Sequence, residues 1–80
     1  MIQYTTVYEV WGSEEEQLIL NALFIDLKTA CKYAVANRGK IHPQLPEVVK
    51  RTYIYDPIKQ VITQAQEKIE PAQIYYMDNI

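Results

Sequence analysis

Hydrophobic and polar positions alternate along residues 4–11 (YTTVYEVW), with Tyr4, Thr6, Tyr8 and Val10 on one side and Thr5, Val7, Glu9 and Trp11 on the other. A period of two in β-branched and aromatic residues predicts a strand, and apolar groups on both sides suit one paired with a neighbour. Residues 48–55 (VVKRTYIY) repeat the pattern: Val49, Arg51, Tyr53 and Tyr55 share one face, Val48, Lys50, Thr52 and Ile54 the other. Between these two strands the period lengthens. Leu27, Ala30, Cys31, Ala34 and Val35 recur at i, i+3, i+4, i+7 and i+8, the single apolar stripe of a helix. Asp26 stands where an N-cap belongs, and Gly39 supplies the left-handed residue that ends such a helix. Pro43 and Pro46 make residues 41–46 a loop, because each removes a backbone donor and fixes φ.

Two segments read both ways. Ser13 followed by Glu16 fits a capping box and would open a helix at 13–24. The alternative is a turn over 12–16 and a strand over 17–24. Leu18, Ile19, Leu20, Ala22, Leu23 and Phe24 form no clean helical stripe, and a lone edge strand is hard to stabilise, so the hairpin is preferred. In the second segment, Asp56-Pro57 is a helix start signal, and Ile58, Val61, Ile62, Ala65 and Ile69 keep helical spacing as far as Pro71. The rival is a turn over 56–60 and a strand over 61–65; the helix is preferred. Residues 73–77 are expected as a short last strand, with Asp78, Asn79 and Ile80 fraying.

The resulting order, β-β-α-β-α-β, predicts an α+β fold: a small antiparallel sheet with one or two helices packed on one face. A hairpin running into a helix start with Phe24, Asp26, Ala30, Tyr33 and Ala34, and then a strand, resembles small accessory proteins of bacteriophages over residues 4–56. That resemblance implies a protein acting by binding host machinery, as an inhibitor or modulator of a host complex; it carries over no binding or catalytic residue.

Composition narrows the class. Eighty residues make a single domain, residues 1–80, and 49% apolar content is enough for a core. One cysteine and one histidine exclude an intramolecular disulfide and a Cys/His zinc site within the chain. Small domains without either staple often associate, so a homodimer is an expectation. Eight Lys+Arg against ten Asp+Glu is neither the basic balance of a general nucleic-acid binder nor the acidity of a DNA mimic. No apolar run reaches the 18 or so residues of a membrane span, and the first six residues lack the order of a signal peptide, so no membrane partner and a cytoplasmic location are expected.

Candidate chemistry is sparse. Cys31 lies on the helical stripe and is read as core. His42 sits in the proline-containing loop, directly before Pro43, without an obvious orienting carboxylate nearby in sequence, and is read as a solvated loop residue. Asp26 and Asp56 offer a carboxylate pair only if the fold brings them together. No Gly-rich phosphate loop, HExxH, GxSxG or CxxC is present. No cofactor, metal site or enzymatic activity is therefore expected.

Two binding surfaces stand out. Glu14, Glu15 and Glu16 offer a negative patch for a basic partner, against the plainer reading of a solvated turn. Arg51, Tyr53 and Tyr55 set a cation beside two rings on one sheet face. That combination suits a protein hot spot and, less well, stacking on single-stranded nucleic acid; it is also compatible with an ordinary sheet face. Seven of the nine aromatic residues are tyrosines, which tilts the choice toward surface use and makes a Tyr-rich open face a natural dimer seam. The function expected is a non-enzymatic protein-binding module, with nucleic-acid or nucleotide binding through the Arg/Tyr face as the alternative.

Overall fold

The computed structural model describes residues 1–14, 17–40 and 44–80. The expected α+β class is found, as a four-stranded antiparallel sheet with two helices. The chain runs β1 (Gln3–Glu14), β2 (Gln17–Phe24), α1 (Leu27–Ala36), β3 (Glu47–Asp56), β4 (Val61–Lys68) and α2 (Pro71–Asp78). Strand order is β2-β1-β3-β4. The strand at 17–24 is the preferred hairpin reading; the turn that joins it to β1 and the loop around His42 lie outside the described residues.

The last third of the chain departs from expectation. The order ends β-β-α rather than β-α-β, because residues 61–68 are a strand and the tail is a helix. Asp56 does cap, as its sequence suggests: Oδ1 accepts from the backbone N–H of Ile58 at 3.0 Å and of Lys59 at 3.2 Å. Those bonds are common to a helix N-cap and an Asx-turn, so they serve a helix and a chain reversal equally well. Gln60 then turns left-handed (φ 55°), which reverses the chain, and the β-branched run Val61-Ile62-Thr63 continues as a strand paired along β3 from Asp56↔Val61 to Val49↔Lys68. The helical spacing of Ile58, Val61 and Ile62 is incidental, since all three are exposed.

The tail cannot be the strand expected over 73–77. Pro71 occupies the first helical turn, where its missing N–H costs nothing, and Ile74 is buried in the core. Nor do Asp78 and Asn79 fray. Lys32 Nζ donates to the Asp78 carbonyl at 2.7 Å, and the Asn79 N–H and side-chain amide both donate to the Tyr75 carbonyl.

α1 starts as expected, with Asp26 Oδ2 accepting from the Thr29 N–H at 2.9 Å and its hydroxyl at 2.7 Å. It ends at Ala36, where Asn37 donates its side-chain amide and N–H to the Tyr33 carbonyl; Gly39 takes the left-handed conformation two residues later. Its buried stripe of Ala30, Cys31 and Ala34 is small, so the helix lies close over Val10 of β1 and Val48 of β3. Ile69 and Ile74 close this core from the α2 side. Phe24 stacks obliquely on Tyr33, ring centroids 5.3 Å apart. Both helices lie on the Val10/Val48 side, and among the described residues the opposite sheet face carries no helix.

Candidate interaction face

Register decides what stands on the uncovered face. On β1 it presents Val7, Glu9 and Trp11; on β3 Glu47, Val49, Arg51, Tyr53 and Tyr55; on β4 Ile62, Gln64, Gln66 and Lys68. Arg51, Tyr53 and Tyr55 thus share a face, as their alternation predicts. β2 joins them through an irregularity. Val10 pairs with Ala22 but Trp11 with Leu20, so Asn21 is an extra residue, and the parity of the strand flips across it. Leu23, opposite Glu9, and Leu20 and Leu18, on the far side of the bulge, therefore all point to the Trp11 side. The Asn21 amide donates to the Ile19 carbonyl at 2.9 Å. This bulge is why residues 17–24 show neither clean alternation nor a helical stripe.

At the centre of the face lies a hydrogen-bonded group that no local motif announces. Glu9 is only 5% exposed although it stands on the face away from both helices. Its Oε2 accepts from Arg51 Nε at 2.9 Å and its Oε1 from Trp11 Nε1 at 3.0 Å; Arg51 Nη1 also donates to Gln64 Oε1 at 2.8 Å. Burial pushes the Glu9 carboxyl up, but the hydrogen bonds from Arg51 and Trp11 and the Arg51 charge outweigh it and hold the group below the usual carboxylate range. At the rim Glu47 pairs with Lys68, whose own pKa is raised by that contact. Both cations that residues 47–68 place on this face are thus neutralised by carboxylates on the same face.

Around this neutral centre exposed apolar side chains stand among polar ones such as Gln64, Gln66 and Lys68. Leu18, Leu20 and Leu23 are 56%, 42% and 52% exposed, and Ile62 and Tyr53 are 68% and 38% exposed. A shallow depression of about 300 Å³ runs between Trp11, Leu18, Val49, Arg51, Gln66 and Lys68. No family model, no curated protein and no solved structure matches this chain. Its function must be read from its own surface.

The remaining candidates have structural roles or lie elsewhere. Glu15, Glu16 and the side chain of Glu14 are outside the described residues, as is His42. Asp26 and Asp56 each cap a local turn. Cys31 is fully buried, and burial pushes its thiol up, with the carboxylates of Asp78 and Asp26 adding to the effect. A larger cavity, about 390 Å³, lies between residues 44–47 and the start of α2, lined largely by Leu45, Pro46, Ile69, Pro71, Ile74 and Tyr75. The charged groups on its wall are Glu47 and Lys68, which bind each other. No helix among the described residues is long and apolar enough to cross a membrane.

Glu9, Trp11, Gln64 and the leucines of β2 are the site residues that sequence reasoning did not reach. Glu9 sits in an otherwise apolar alternation, which was the available signal. Its partner emerges only once β1 and β3 are set in register.

Proposed function

We propose that this protein is a non-enzymatic protein-binding module that docks through the uncovered face of its sheet. One observation carries the reading: five large apolar side chains, Leu18, Leu20, Leu23, Tyr53 and Ile62, stand exposed around a charge pair that is already satisfied. A face whose charged pairs are already neutralised loses little on desolvation, and its exposed apolar side chains gain by leaving water, which is the profile of a protein interface. Inhibition or modulation of a host complex, in the manner of phage accessory proteins, is one form this role would take. The nucleic-acid alternative is weaker, because a stacking platform needs a cation free for phosphate and Arg51 is engaged with Glu9 and Gln64.

The test is affinity capture from nuclease-treated bacterial lysate with the wild type and with Leu20→Glu and Tyr53→Ala. A protein retained by the wild type and lost from both variants supports the reading. Retention by all three moves the interface elsewhere. Quenching of tyrosine fluorescence by single-stranded oligonucleotides at low salt, abolished in Tyr53→Ala, would favour the nucleic-acid reading instead.

A further inference from the structure

Taking the uncovered sheet face to be a docking surface, as proposed above, we infer that its occupant is a second copy of this chain, packed face to face about a two-fold axis.

The dimensions of the molecule point to a missing layer. Its principal extents are 45 × 32 × 16 Å, and its radius of gyration is 14.2 Å. A compact chain of this length would have a radius of gyration of about 12 Å. The chain exposes 5651 Å². A folded monomer of its mass exposes about 5,000 Å², so the molecule as a whole exposes roughly 600 Å² more than that. An excess of this size is of the order of the roughly 800 Å² per partner that a standard-size interface buries. The fully buried hydrophobic cluster among the described residues is small, made of Val10, Ala30, Cys31, Ala34, Val48, Ile69 and Ile74, with the residues packed against it only partly buried. The lone cysteine rules out a disulfide within the chain to compensate for it.

The chemistry of the face suits self-pairing in particular. Across a two-fold axis each group near the axis meets its own copy, so an unpaired charge there would oppose a like charge. Glu9 and Arg51 neutralise each other within one chain, and Glu47 and Lys68 do the same, which removes that obstacle. The leucines of β2 lie on one side of the central pair; Tyr53 and Ile62 lie on the other. An axis near Glu9–Arg51 therefore sets the aliphatic side of one sheet over the aromatic side of its mate. Two such sheets pack as an aligned sandwich, about 10 Å apart.

Light scattering on the purified full chain, across a dilution series, tests this. The expected result is twice the chain mass for the wild type and the single-chain mass for Leu20→Glu and for Ile62→Glu. Ile25→Glu, on an exposed residue of the β2–α1 connection, should retain the doubled mass. Circular dichroism confirms that each variant is folded, and Ile62 sits on an exposed edge strand whose substitution leaves the core intact. A wild type of single-chain mass throughout overturns self-pairing. So does a doubled mass unmoved by both face variants, or a mass that keeps growing with concentration. If self-pairing fails in any of these ways, capture of a different protein that depends on Leu20 and Tyr53 would still uphold the docking face, whereas its loss would remove both readings.

Discussion

Glu9 binds both Arg51 and Trp11 at the centre of the sheet face. Its depressed pKa means that the stability its pairing contributes is fully present above the pKa it has when unfolded, and is lost as pH falls through the lower folded value. Acid titration of thermal stability should therefore show a loss below the ordinary carboxylate range that is smaller in Glu9→Gln. At neutral pH that variant should be the less stable of the two, since Arg51 keeps its charge but loses its counter-ion. Cys31 offers a second check at this scale. Being fully buried with a raised pKa, it should resist a thiol reagent at neutral pH in the folded protein and react at once in denaturant. Gln60 offers a third: a left-handed conformation disfavours any residue with a Cβ, so Gln60→Gly should stabilise the protein by up to about 1 kcal/mol in denaturant titration.

At the scale of elements, α2 and β4 are held in opposite ways. α2 is short and anchored mainly by Ile74, the one fully buried side chain it contributes. Ile74→Ala should cost about 2–5 kcal/mol in denaturant titration, a large share of a domain this small. β4 has both faces exposed and persists by its backbone ladder to β3, with Arg51–Gln64 tying the pair across the open face. A single change on its surface such as Ile62→Glu should alter monomer stability by no more than about 0.5 kcal/mol. The capping signal ahead of β4 was legible in the sequence, but the same Asp56 bonds serve a helix and a turn. Helical periodicity misled here because β4 buries neither face, so nothing selected an alternating pattern. In β2 it was a single residue, Asn21, that broke the alternation.

For the whole molecule, association and folding would be linked if its flat sheet face is shared between copies. If two copies share the sheet face, the thermal midpoint should rise with protein concentration, because mass action then favours the folded, paired state. A midpoint independent of concentration over a hundredfold range would speak for a monomer. Substituting Leu20 with Glu should remove the concentration dependence while leaving the helix-side core untouched, since Leu20 points away from it.

Local sequence alone determined the strands β1 and β3, the helix α1 with its Asp26 cap, the α+β class, and the common face of Arg51, Tyr53 and Tyr55. Each rests on periodicity or capping, interactions that span only a few residues along the chain. The tertiary structure alone decided where strands pair and which surface stays bare. The β1–β3 register brings Glu9 to Arg51 across 42 positions of sequence, and so turns an apparently free cation into a neutral centre. The bulge gathers three leucines beside it, and the turn at Gln60 makes a strand of a segment with helical spacing. These outcomes depend on backbone pairing between distant segments, which outweighs the weak local preferences of any one of them.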